Sequence, residues 1–163
     1  MNPTPFAAVI SSPLGPLGVV MQNCLLKCIE FLPIATPLIS PQDDHAKIVE
    51  NALINYFLHP QQIFTLDLLL IGTSFQQRVW QQLQQIPSGK TVTYGTLAKQ
   101  LQTSPRAIGN ACRTNRIPII IPCHRIVGAT HTGGYAGHIQ GQFHDIKTWL
   151  LHHETTRRGT EIN

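Results

Sequence analysis

Apolar and polar positions along this chain of 163 residues fall into two textures. Over residues 1–70, short apolar runs alternate with turn-forming residues. Phe6 to Ile10 reads as a strand, and Pro13-Leu14-Gly15-Pro16-Leu17-Gly18 as a turn, because proline and glycine punctuate regular structure. Gly18 to Met21 and Leu25 to Phe31 read as further strands. Residues 32–44 carry Pro33, Pro37 and Pro41 and form a loop. Between Asp44 and Leu58, the residues Ile48, Ala52 and Phe57 recur near helical spacing, which predicts a helix. The apolar run from Ile63 to Ile71 is broken by Asp67 and is too short to span a bilayer, so it reads as a buried strand.

From Gly72 onward the periodicity becomes helical. Ser74 followed by Gln77 has the form of a capping box, and Phe75, Val79, Leu83 and Ile86 then make an apolar stripe that Pro87 and Gly89 end. A short helix is expected over Gly95–Leu101. Ser104-Pro105, an N-cap with proline at the first helical position, opens another that runs to Arg113. Two short helices joined by a few residues predict a helix-turn-helix. Pro118 to Pro122 is apolar, and its prolines predict stiff, extended, buried backbone. A glycine-rich stretch spans Gly128–Gly141, and a last helix near Asp145 carries Ile146, Trp149, Leu150 and His153 on one face.

Composition sharpens this division. Charged residues are only 12%, against roughly 25% in an average domain, and glutamine pairs supply much of the polar surface instead. The net charge of +4 is unevenly placed. Residues 1–70 hold two basic and five acidic groups, whereas residues 71–163 hold ten basic and three acidic ones. A basic second half points to a polyanionic partner, although a solvated surface would look the same. The N-terminus lacks the basic start of a signal peptide, so a cytoplasmic protein with reduced thiols is expected rather than a disulfide framework.

Cys123-His124-Arg125, directly after the apolar segment, is the first candidate for chemistry. A thiolate is the reactive form of cysteine, and an imidazole or guanidinium nearby favours it. The alternative is a cysteine that serves as a small buried hydrophobe. Glu154, at the end of the last helix, could orient an imidazole in a cysteine–histidine–acid relay, or could be a solvated helix end. Tyr94 could donate a proton or grip a phosphate, or pack in the core. Arg106 lies in the first helical turn, where a cation opposes the helix dipole; this suggests a role outside stability. Cys24 and Cys28 have no second pair at zinc-finger spacing, so neither metal nor cofactor is expected.

Ile121-Pro122-Cys123-His124-Arg125-Ile126 resembles the Pro-Cys-His-Arg-Val signature of the O6-alkylguanine-DNA alkyltransferases. The resemblance extends over residues 72–154. It runs through Gly72-Thr73-Ser74-Phe75-Gln76, Ile86-Pro87-Ser88-Gly89-Lys90-Thr91, Thr93-Tyr94-Gly95, Arg106-Ala107-Ile108-Gly109, Asn115, Gly134-Tyr135-Ala136-Gly137 and Leu150-Leu151-His152-His153-Glu154. Residues 1–70 are similar to the family only loosely, through Ser12 to Leu17. The resemblance implies an α+β protein. Residues 1–70 would form a small ribonuclease-H-like α/β domain, and residues 71–163 a mostly helical DNA-binding and alkyl-transfer domain with a winged-helix-like helix-turn-helix.

It further implies a monomer that repairs double-stranded DNA by moving an alkyl group from O6-alkylguanine irreversibly onto Cys123, with O4-alkylthymine as an open second substrate. Binding would be through the minor groove, with the base flipped out of the duplex. His124, held by Glu154, would take the thiol proton through a water, and Tyr94 would protonate the leaving guanine. Arg106, Tyr94, Arg113 and Arg125 would contact DNA. Asn115, Ile126, Tyr135 and Ala136 would line the substrate pocket. Three positions depart from the family pattern: Ala136 stands for a common serine, Arg116 for a common proline, and Gly137-His138 for a common glycine pair. A damage sensor of the same family would lack the cysteine. A transcription factor would leave the Cys-His-Arg run unexplained, and a cysteine hydrolase would turn over.

Overall fold

The computed structural model describes residues 4–131, 133–135 and 141–156. The chain divides into two compact units, Met1–Ile71 and Gly72–Asn163, and each is described by itself.

In the first unit, strands β1 (Ala8–Ile10), β2 (Leu17–Gln22) and β3 (Leu25–Phe31) form an antiparallel sheet in the order β1-β2-β3. Val9 pairs with Gly18, and Val19 with Ile29. Gly18 lies hard against the Phe6 ring: a Cβ there would sit 2.5 Å from it, so the ring would have to move. Helix α1 (Asp44–Leu58) is capped by Asp43, whose side chain accepts from the Ala46 N–H, and it packs on β1 and β2.

The sequence located α1 correctly but misjudged its buried face. Ala46, Val49, Leu53 and Tyr56 are buried, whereas Ile48 is 55% exposed. The true stripe follows the spacing i, i+3, i+7, i+10, so an apolar residue on the flank misled the reading. The expected strand over 63–71 is also absent. Only an isolated parallel bridge joins Leu68 to Leu26, and Ile63 is 83% exposed. The Asp67 carbonyl accepts from the Leu26 N–H and the Leu69 N–H donates to the Leu26 carbonyl, so the segment is tied to Leu26 and forms no longer ladder with β3.

The second unit holds helices α2 (Ser74–Leu83), α3 (Tyr94–Gln100), α4 (Pro105–Arg113) and α5 (Gln142–Thr156). It also holds a single 3-10 turn at Cys123–Arg125 and two short strands, β4 (Val92–Thr93) and β5 (Ile126–Val127). The capping box of α2 starts one residue earlier than expected: Thr73 and Gln76 form it, not Ser74 and Gln77. Val79, Trp80 and Leu83 form its buried face, and the Trp80 Nε1–H donates to the Ala111 carbonyl at 2.8 Å, tying α2 to α4. Helices α3 and α4 pack together, each with the hydroxyl cap of a Thr or Ser at its start (Thr93 and Ser104). Gln102, with φ of 55°, turns the chain between them, and the Thr103 N–H closes on the Ala98 carbonyl. Ser104 and Pro105 open α4 as the sequence predicted.

Residues 119–122 are buried and Pro118 is half-buried, close to expectation, but the segment is not extended. Ile121 N–H bonds the Ile117 carbonyl, Ile120 N–H the Pro118 carbonyl, and Ile119 has φ of 72°. The prolines bracket a tight turn whose isoleucines fill the core: Ile117, Ile119, Ile120 and Ile121 are all buried.

Candidate active site

A parallel pairing of two residues sets the geometry of the site. Strand β4 pairs with β5 through Val92↔Ile126 and Thr93↔Val127. Tyr94 directly follows β4 and the Cys123–Arg125 turn directly precedes β5, so this pairing brings the tyrosine and the cysteine to one place. Both line a cavity of about 550 Å³, together with Arg106, Arg113, Cys112 and Tyr135. His131 is also on its wall, with Nδ1 accepting from the Gly133 N–H at 3.0 Å. Gly133 has φ of 81°, and a Cβ there would sit 3.0 Å from the Tyr94 ring, so that wall closes only over glycine.

Cys123 is 7% exposed. Burial pushes its thiol above the ordinary cysteine range; the Asn115 side chain, the Lys147 ammonium and the Tyr135 hydroxyl pull it back. The Asn115 amide donates to Cys123 Sγ at 3.2 Å and to the Ile121 carbonyl at 2.9 Å, while its Oδ1 accepts from the Ile117 N–H. One side chain therefore holds both ends of the turn that presents the cysteine.

The two residues that follow the cysteine join a buried polar cluster. Glu154 Oε1 receives His124 Nε2 at 2.7 Å and Arg125 Nη2 at 2.8 Å. Its Oε2 receives Arg125 Nε at 3.1 Å and the Gly89 N–H at 3.4 Å. These donors hold the Glu154 carboxyl far below the ordinary range, despite its burial. Burial keeps His124 neutral against the pull of Glu154. With Nε2–H given to Glu154, His124 Nδ1 is left with its lone pair and no protein partner.

Arg125 corrects an expectation. It was placed among DNA contacts, yet it is 7% exposed, and its remaining nitrogen, Nη1, donates to the Ile86 carbonyl at 2.6 Å. Each of its three guanidinium nitrogens bonds within the protein, where the group compensates a buried carboxylate. Arg106 and Arg113 are exposed at the cavity, Tyr94 is half-buried, and desolvation raises its hydroxyl to about 12. The Ile126 side chain is buried in the core, and its carbonyl accepts from Lys147. Ala136 lies outside the described residues, as do Gly137 and His138.

The sequence reading missed Lys147, whose side chain is wholly buried. A signal was present: Lys147, Leu150 and Glu154 are three and seven apart, one stripe of α5, with apolar Leu150 between the two charges. It also missed His131 and Cys112, which carried no pattern.

A reactive-cysteine site beside a pair of helices in a basic unit is the class of protein that this geometry defines. The family model described as "6-O-methylguanine DNA methyltransferase, DNA binding domain" matches residues 74–156. A methylated-DNA–protein-cysteine methyltransferase of Methanosarcina mazei is 38% identical over 150 residues, covering 88% of this chain and 92% of that protein. One of Shigella flexneri is 35% identical and covers 89% and 92%. The crystal structure of Mycobacterium tuberculosis OGT in complex with DNA superposes with a TM-score of 0.77 at 35% identity, covering 91% of this chain and 92% of that one. The chain belongs to the O6-methylguanine DNA methyltransferase family.

Proposed function

We propose that this protein repairs DNA by transferring the alkyl group of O6-alkylguanine, once and irreversibly, to Cys123. The observation that carries the reading is the buried thiol at the wall of an open cavity, held by Asn115 at its sulfur and backed by the His124–Glu154 pair. The lone pair on His124 Nδ1 takes the thiol proton through one water, and Glu154 stabilises the imidazolium that forms. The thiolate attacks the alkyl carbon in line. The carbon–O6 bond breaks, its electron pair passes to guanine, and Tyr94 gives the ring a proton. A hydroxyl raised to about 12 keeps its proton until negative charge develops on the base beside it. A thioether is not a leaving group at neutral pH, so the protein acts once.

DNA engages the exposed Arg106 and Arg113 on the α3–α4 pair, a winged-helix-like helix-turn-helix entering the minor groove. The reacting base must leave the duplex to reach a buried sulfur. Tyr135 lines the base pocket and Asn115 braces it. Residues 71–163 form the transfer domain, and residues 1–70 a reduced ribonuclease-H-like domain. Cavity, nucleophile and relay all come from one unit of one chain, which fits action as a monomer. Four free cysteines fit a reducing cytoplasm.

The test is intact mass after mixing the protein with an equal amount of duplex carrying one O6-methylguanine. The expected result is a gain of one methylene unit per chain, mapped to Cys123 and absent in Cys123→Ser. Tight binding without a mass gain would make the protein a damage sensor. Repeated turnover on an ester or amide would make it a hydrolase.

A further inference from the structure

The charges around Cys123 do not balance without a group that the relay leaves unused. Glu154 is cancelled by Arg125, and His124 is neutral, so that cluster carries no net charge in the resting state. Asn115 and Tyr135 are dipoles, and Cys112 and Tyr94, facing the same cavity, are raised by burial and by Cys123, so both stay neutral and supply no counter-charge. Lys147 is different. It is wholly buried on α5, and among the described residues it has no carboxylate partner. Its Nζ donates to the Ile126 carbonyl at 2.6 Å and to the Gly134 carbonyl at 2.9 Å, and lies 5.9 Å from the centre of the Tyr94 ring. A buried ammonium without an ion pair is costly, and such groups collect where a reaction needs them.

We propose that Lys147 is the positioning residue of the reaction: it ties the segment leaving the Cys123 turn to the segment entering Tyr135, and holds between them the positive charge against which the Cys123 thiolate forms. This deepens the alkyl-transfer reading and rests on it for the identity of the nucleophile. Burial lowers the Lys147 ammonium to about 8, while Cys123 and Cys112 pull the other way. The counter-charge is therefore present at neutral pH and is lost as pH rises past that value. The groups that face it are Tyr94 on α3, Cys112 on α4, Cys123 and His124 on the 3-10 turn, and the carbonyls of Ile126 and Gly134.

The experiment is alkylation of Cys123 by iodoacetamide as a function of pH, read by peptide mass, in the wild type and in Lys147→Met, Lys147→Gln and Lys147→Arg. It needs no DNA, so a failure here is distinct from a failure to take methyl from O6-methylguanine. Losing a nearby opposite charge moves a thiol by about one unit or more. In Met and Gln, the acid limb of the rate profile is therefore displaced upward and the rate at neutral pH falls roughly tenfold. Arg holds the wild-type limb. Gln keeps an uncharged N–H donor at the site, so a wild-type profile in Gln would overturn the electrostatic role and leave only a structural tie. If the variants do not fold, the wild type decides. The Lys147 titration, followed by heteronuclear NMR, moves to lower pH once Cys123 is methylated, because coupling between two sites is reciprocal. An unmoved midpoint would also overturn the proposal.

Discussion

Replacing Glu154 by glutamine keeps the shape of the side chain and removes its charge. The structure says what that costs. Oε1 receives His124 and one Arg125 nitrogen; Oε2 receives the other Arg125 nitrogen and the Gly89 N–H. Whichever way the amide is turned, its NH2 meets two donors. Two buried donors lose their acceptor and the Arg125 guanidinium loses its counter-charge. Breaking one side of a buried pair costs about 3–5 kcal/mol. For a unit of this size that lowers Tm by roughly 12 °C or more. The assay is urea unfolding followed by tryptophan fluorescence. Trp80 and Trp149 are the only tryptophans and both lie in the second unit, so the signal reports that unit alone. The same change lets the amide donate to His124 Nε2, which moves the ring proton to Nδ1 and removes the base; transfer slows by about a hundredfold or more. A loss below about 1 kcal/mol would refute the claim that this cluster is tightly coupled. A stable variant with wild-type transfer would refute the relay.

Acid should unfold the second unit early. The folded state holds Glu154 below its ordinary 4.5, so that stability is present above 4.5 and is lost as pH falls through and below it. His124 is held below its ordinary 6.5, so the folded state resists its protonation and stability starts to fall below about 6.5; a Tm that stays flat from neutral pH down to well below the ordinary carboxyl range would contradict both. Arg106→Ala should weaken duplex binding without changing Tm, and reduce the slope of log affinity against log salt by about one, as expected for a lost phosphate or groove cation; an unchanged slope would remove Arg106 from the interface. Thr73→Ala should cost the second unit about 1 kcal/mol in urea unfolding, while Ser74→Ala should be nearly neutral. The reverse ranking would mean that the cap has been misplaced.

What the sequence revealed depended on whether a feature was local. Helix α4 was legible from Ser104-Pro105, because a hydroxyl cap and a proline act on the next few backbone groups. Strand β3 was legible to the residue from its bounding turns. The α1 face was not, since Ile48 and Val49 are equally apolar and only the sheet beneath decides which is buried. At the site, Cys123, His124 and Glu154 were named together, but the link between them crosses thirty positions and came from resemblance rather than from pattern. Arg125 was misassigned because a basic residue in a basic half looks like a surface cation, and nothing local marks it as the partner of a distant carboxylate. Lys147 escaped for the opposite reason: lysine is read as exposed unless a partner is visible, and its partners are backbone carbonyls.

The turn before the cysteine explains how so small a unit holds a reactive group in place. Ile119 adopts φ of 72°, a conformation that a β-branched residue takes only at a cost of about 1–3 kcal/mol. The burial of Ile117, Ile119, Ile120 and Ile121 offsets it, since each such side chain contributes roughly 1.5–3 kcal/mol on leaving water. Asn115 then closes the turn with bonds to Ile117, Ile121 and the sulfur itself. An extended segment over the same residues would leave the Asn115 amide without the Ile121 carbonyl, and the thiol without its donor. The apolar residues therefore do more than exclude water from Cys123: their burial holds the strained backbone that brings Asn115 to the sulfur. A buried thiol that reacts only once has no turnover over which to average a poor geometry. The fold instead fixes that geometry in advance, with Asn115 bonded to the sulfur and the adjacent His124 bonded to Glu154.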